Sequence, residues 1–205
     1  GESYGTTRAA GIAHHLSERG VMFNGLLLIS LALDFDTFVF SPANELPHVL
    51  IMPAYTATAA YHGKVDDGGD FRGLLAKARA FASGPYQQAL FAGAALSPEQ
   101  KASVAAELAA LTGVEARTWL RNDLRLDQAR FCRELLADEG KVVGRLDSRY
   151  VGRNDDPQDA RATRDPSYDG PLGPFTVAVN DHLRRHIGYD DPKPYSIIDL
   201  KVNEG

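Results

Sequence analysis

The residues best suited to chemistry stand at the start of the 205-residue chain, where Gly1-Glu2-Ser3-Tyr4-Gly5 has the form G-x-S-x-G. A serine in this setting fits a sharp strand-to-helix turn, with the glycines letting two backbone segments approach closely. A helical pattern over 4–18 follows at once, and a helix beginning there aims its free N–H groups and positive dipole end at the serine. Both stabilise the negative charge of an acyl-transfer intermediate. Ser3 is therefore the candidate nucleophile, and the backbone N–H of Tyr4 is a candidate oxyanion donor. An ordinary glycine-rich helix start is the alternative reading of the same five residues.

Other titratable groups have blander explanations. His182 and His186 are spaced i, i+4 as in a zinc-binding helix, but position 183 is Leu where H-E-x-x-H places its glutamate. The same two histidines follow Asp165, Asp169 and Asp181 in the order of a hydrolytic triad, yet they fall on a polar helix face and read as solvated. His14 and His15 read as helix surface. Cys132 lies on an apolar helix face and reads as core packing, as does Trp119. Arg145, Arg149 and Arg153 are interleaved with Asp147, Asp155 and Asp156, so mutual ion pairing is expected. No metal and no cofactor are expected.

The elements that would position Ser3 can be read from periodicity. Ala9, Ala10, Ile12, Ala13 and Leu16 give the first helix a small apolar face that would lie close to a sheet, and Gly20 ends it. Asn24-Gly25 is a turn, and Leu26 to Leu33 is an apolar run expected to form a strand buried on both faces. Helices are expected over 45–62, with Pro47 near its start and Pro53 breaking or kinking it, over 70–83, stopped by Gly84-Pro85, and over 86–93. Ser97-Pro98-Glu99-Gln100 opens another helix that runs to Leu111. Two more follow at 114–121 and 125–138, then an extended segment or hairpin at 140–152. A polar loop at 153–170 precedes a last helix at 174–187, beginning after Pro171 and Pro174. Helix is expected for about half of the residues.

Composition narrows the function classes. The net charge is −5, where a general nucleic-acid binder would carry a basic excess. The single cysteine cannot form an internal disulfide. The longest apolar run, Gly25–Leu33, is about half of the ~20 residues that span a bilayer. The chain opens inside its most informative motif without a methionine, and so reads as part of a longer protein.

GESYGTTRAAG, followed by the apolar strand and a long helical stretch, resembles the bacterial branch of the serine carboxypeptidase family. Further matches run through Leu46-Pro47, Pro53 to Ala59, Gly144-Arg145-Leu146-Asp147-Ser148-Arg149 and Asp165-Pro166-Ser167-Tyr168. Where other members read GESYAG, this chain has Gly5-Thr6-Thr7-Arg8-Ala9-Ala10-Gly11. The resemblance implies a mainly α chain with one or a few strands, being a fragment of an α/β-hydrolase fold with its helical cap. Residues 1–40 would be partial core, 41–190 the cap, and 191–205 a return linker. It implies an extracytoplasmic enzyme that removes C-terminal residues from peptides through an acyl-enzyme on Ser3, with Glu2 binding the substrate carboxylate. Two carboxylates repel, so that pairing needs a shared proton and acidic conditions. The triad Asp and His, and the second oxyanion donor, would lie outside this chain, leaving it inactive alone. An esterase of the same fold and a non-catalytic helical module are the alternatives. The open edges of Leu26 to Leu33 would be covered by the elbow together with the tail near Tyr195 to Val202, or by a second copy of the chain in a homodimer.

Overall fold

The structure is a computed structural model that describes residues 1–155, 164–191, 193 and 195. Helix makes up 59% of it, above the half expected from periodicity, and two short strands complete the regular structure. The chain is mainly α. Among the described residues no helix is long and apolar enough to cross a membrane.

The centre of the molecule is a block of helices between Leu46 and Glu134. Helix α2 (Leu46–Tyr61) has Pro47 in its first turn, where the missing N–H costs nothing. Its residues Val49, Met52, Thr56 and Ala59 repeat at helical spacing and are all buried. Pro53 lies inside the helix without ending it. Helix α3 (Phe71–Phe81) is capped by Asp70, whose side chain accepts the Gly73 N–H at 2.9 Å. The expected stop at Gly84-Pro85 does not occur. A π-helical turn over Ala82–Tyr86 carries the chain into α4 (Gln87–Ala92). The wider turn accommodates a ring that an α-helical turn would exclude.

Helix α5 (Pro98–Thr112) opens with a reciprocal capping box between Ser97 and Gln100 and ends at Gly113, where φ is +69°. A Cβ at Gly113 would also sit 2.6 Å from the Lys64 Cβ, so the position requires glycine twice over. Helices α6 (Ala116–Arg121) and α7 (Gln128–Glu134) close the block, the latter capped by Asp127. In the core these helices share, Tyr86, Leu108, Leu111, Trp119 and Phe131 are buried almost completely. The Tyr55 and Phe131 rings stack 3.8 Å apart. Two tyrosine hydroxyls donate to the backbone of one turn, Tyr86 to the Leu124 carbonyl at 2.7 Å and Tyr55 to the Leu126 carbonyl at 3.3 Å. Arg125 in that turn forms a two-pronged pair with Glu45, at 2.7 and 3.0 Å, and fastens the start of α2.

The extended region after residue 140 is an antiparallel hairpin, β1 (Lys141–Val143) with β2 (Val151–Arg153), in which Val142 faces Gly152. The last helix begins earlier than its prolines suggest. Helix α8 (Pro166–Asp181) is capped by Asp165 and runs through Pro171 and Pro174 into a π-helical turn over His182–His186. Pro174 leaves the carbonyl of the exposed Gly170 without its helical donor, where solvent can reach it. Most of the expected return linker, including 196–205, lies outside the described residues.

Ahead of the block lie helix α1 (Tyr4–Ser17), an extended stretch to Asp34 and a 3₁₀ turn over Phe35–Thr37. Here the expectation of a buried strand fails. Leu27 is 84% exposed, and Leu26, Ile29, Leu31 and Leu33 are exposed as well. Among the described residues the segment makes one ladder contact, a single parallel bridge from Ile29 to Glu2. Ser30, with φ at +51°, turns the backbone out of strand geometry immediately after it. The elbow therefore pairs with one edge and leaves both faces open. Of the tail expected to cover it, only Tyr195 is described, and it is itself exposed. Nor does α1 find the sheet its small residues anticipate, since Ile12 is exposed and only Thr6 of that helix is buried.

Candidate active site

The site at Ser3 is built from three pieces of backbone: residues 1–3, the first turn of α1, and residues 27–32. The first and third run parallel. The Ser3 N–H donates to the Ile29 carbonyl at 3.0 Å, and the Ile29 N–H donates to the Gly1 carbonyl at 2.9 Å. The chain then reverses within one residue. Ser3 has φ +48° and ψ −122°, a conformation that costs a non-glycine residue about 1–3 kcal/mol. The Gly5 N–H closes the turn on the Glu2 carbonyl at 2.7 Å. A Cβ at Gly1 would meet the Gly5 carbonyl oxygen at 2.1 Å, so the first glycine of the motif is required by close approach. A Cβ at Gly5 would meet nothing within 4 Å, and the second glycine is not demanded by contacts among the described residues.

Ser3 is exposed, and its Oγ makes no hydrogen bond among the described residues. The Tyr4 N–H, in the first turn of α1, likewise takes no partner among them, and the Tyr4 ring is 61% exposed. Glu2 is exposed beside it. Ser3, Tyr4 and Glu2 thus share one open surface, with a free N–H and a helix start next to a free hydroxyl. Among the described residues no histidine or carboxylate is bonded to the serine. His14 and His15 lie further along α1, exposed, beside Glu18 at 3.7 Å and Arg19 at 3.1 Å respectively.

Two residues that sequence reading passes over hold this turn. Thr6 is fully buried; its hydroxyl donates to the Ser3 carbonyl at 2.6 Å and accepts the Ala32 N–H at 2.9 Å. The Thr7 hydroxyl donates to the carbonyl of the same Ala32. Their position after the second glycine was visible, but bonds reaching 26 residues along the chain leave no trace in local spacing.

His182 and His186 are exposed, with ring centres 5.6 Å apart, and no Asp165, Asp169 or Asp181 carboxylate is bonded to either. Among the described residues no group of three or more His, Cys, Asp or Glu is placed to hold a metal ion. Cys132 is buried, and burial pushes its thiol up to about 12. Trp119 is buried too. Of the interleaved charges, Arg149 grips Asp147 at 2.6 Å and Arg153 pairs loosely with Asp155, while Arg145 turns to Asp165 at 3.8 Å. Asp156 lies outside the described residues.

The structure does bring two separate stretches together. The Arg145 N–H donates to Asp165 Oδ1 at 3.2 Å, and the Leu146 N–H donates to the Ser167 hydroxyl at 2.9 Å. A Cβ at Gly144 would strike Ser167 at 2.4 Å. Gly144–Arg149 and Asp165–Tyr168 therefore form one interlocked corner beside a cavity of about 480 Å³ walled by Phe38, Phe40 and Arg145. Comparison of the chain with family models, curated proteins and solved structures returns no match.

Proposed function

We propose that Ser3 is the nucleophile of a serine carboxypeptidase-like hydrolase, in which residues 1–40 belong to an α/β-hydrolase core and 41–190 form its helical cap. One observation carries the reading: within G-x-S-x-G, the serine alone takes the strained φ of +48°, between a parallel backbone pair and a helix start. A turn of that kind holds the hydroxyl out at its apex, within reach of a substrate carbonyl. In this reading the Tyr4 N–H donates to the tetrahedral oxyanion, and the α1 dipole adds to the same field. Glu2, exposed next to Ser3, binds the C-terminal carboxylate of a peptide. The Asp and His that activate the serine come from beyond this chain.

The test is covalent labelling of the protein expressed from its complete reading frame. A fluorophosphonate probe should add once, on the peptide containing Ser3, and Ser3→Ala should abolish the adduct. Absence of the adduct refutes the reading. The 205-residue chain alone should not cleave a blocked dipeptide, because losing triad members costs several orders of magnitude in rate. A second reading, a helical module without catalysis, is favoured by the lack of any base bonded to Ser3 among the described residues. It predicts no adduct in either form of the protein.

A further inference from the structure

We infer that Thr6 is the positioning residue that holds Ser3 in its strained conformation, by bridging the Ser3 carbonyl to the Ala32 peptide. The inference rests on the reading of Ser3 as nucleophile for its catalytic consequence, but its structural content stands alone. A strained φ persists only where surroundings over-determine it. Packing cannot do so here: Glu2, Ser3 and Tyr4 are exposed, and so is most of the apolar segment beside them. Hydrogen bonds must supply the constraint.

Thr6 is placed to supply it. Its hydroxyl uses its donor on the Ser3 carbonyl, at 2.6 Å, and a lone pair on the Ala32 N–H, at 2.9 Å. Its own backbone N–H reaches the same Ser3 carbonyl at 2.9 Å. The carbonyl of the strained residue is thereby fixed from two directions and referred to the extended segment that also receives the Ser3 N–H. Both ends of Ser3 are anchored to one piece of backbone, residues 29–32, leaving only the side chain free. Thr6 and Ala32 are buried and the bond between them is shielded from water, while the bond to the Ser3 carbonyl is part-buried. The Thr7 hydroxyl grips the Ala32 carbonyl rather than Ser3. It steadies the anchor without setting the serine.

The experiment combines a structural and a chemical readout on Thr6→Val, Thr6→Ser and Thr7→Val. A positive φ brings a residue's own amide and α protons to their closest approach, so Ser3 should show a strong intraresidue amide-to-α cross-peak in the 205-residue chain. Thr6→Val keeps shape and removes the hydroxyl; the cross-peak should fall to the intensity of ordinary residues. In the complete protein, fluorophosphonate labelling of Ser3 should slow about tenfold or more, since small misplacements of a reacting group carry penalties of that order. For peptide cleavage the loss should fall on kcat with KM held. Thr6→Ser, which retains both bonds, should keep the cross-peak and label within about twofold of the parent, a rescue that loss of packing alone would not give. Thr7→Val should also keep the cross-peak. The inference is overturned if Thr6→Val preserves the cross-peak, if Thr6→Ser loses it, or if Thr7→Val abolishes it as fully. If Ser3 is unlabelled in every form, the nucleophile reading fails, and the cross-peaks still decide the role of Thr6.

Discussion

The helical block and the segment before it use similar residues to opposite effect. Residues 21–33 contain no ionisable side chain and are strongly apolar, yet only Ala32 among them is buried. In α5 the stretch from Pro98 to Thr112 is far more polar, yet Ala105, Leu108, Leu111 and Thr112 are sealed. The difference is partnership. Each helix of the block turns an apolar stripe toward another, so burial is reciprocal. Among the described residues the apolar segment beside the elbow pairs with the backbone of residues 1–3, and the geometry there rests on hydrogen bonds through Thr6 and Thr7. One region is held by packing and the other by a few directed bonds. They should respond to different insults.

The sharpest way to test that contrast is to damage the packing. Leu108→Ala removes a fully buried side chain and should cost about 2–5 kcal/mol, read as a lower midpoint in chemical denaturation. A loss no larger than that of a surface substitution would show that the block is loosely packed. Gly1→Ala attacks the other region. Its Cβ cannot coexist with the Gly5 carbonyl at 2.1 Å, so the turn should open and Ser3 should lose its cross-peak, while the denaturation midpoint of the block stays put. A joint loss would mean that the two regions fold as one.

His48 offers an intermediate effect at the seam, where its buried ring meets the edge of Phe40 at 4.9 Å. Burial lowers its pKa from the ordinary 6.5, against the pull of the Glu45 carboxylate and with the push of Arg125. The folded state prefers the neutral ring and the unfolded chain takes up the proton more readily. This contribution to stability is therefore present above the unfolded value and lost as pH falls through it. Denaturation midpoints measured from about pH 7.5 to about 5.5 should fall more steeply in the parent than in His48→Gln. Parallel slopes would remove His48 from the account. Smallest of all, Leu27→Ala should change stability by less than about 0.5 kcal/mol despite the size of the side chain deleted. Concentration-dependent sedimentation that Leu27→Lys abolishes would sharpen the picture, by showing a second copy seated on the open segment.

Much of this was legible in the sequence. The reciprocal cap of α5 needs only Ser97, Pro98 and Gln100 in order, because both bonds are local. The sharp turn at Ser3 and the helix after it were legible from Gly1 to Tyr4, but the bonds that hold the turn reach Ile29 and Ala32. Errors arose where the deciding partner was distant or the helix changed pitch. Gly84-Pro85 reads as a stop unless a π turn absorbs the ring, and α8, capped by Asp165, starts at Pro166 rather than at the expected Pro174. The apolar pattern of Leu26 to Leu33 states what the segment would bury, but says nothing of what stands against it. The Thr6 bridge to Ala32 and the meeting of Gly144–Arg149 with Asp165–Tyr168 depend on tertiary approach alone.

The burial of Trp119 has a consequence for anyone who follows this protein by light. It is the only tryptophan in the chain, and it lies in the packed block, away from the serine turn. Its emission is a signal from the block by construction. If the turn that carries Ser3 loses its strained form apart from the block, as Gly1→Ala tests, the fluorescence trace stays flat. An unfolding curve recorded in this way reports the helices around Trp119. The residue assigned to the chemistry needs its own reporter.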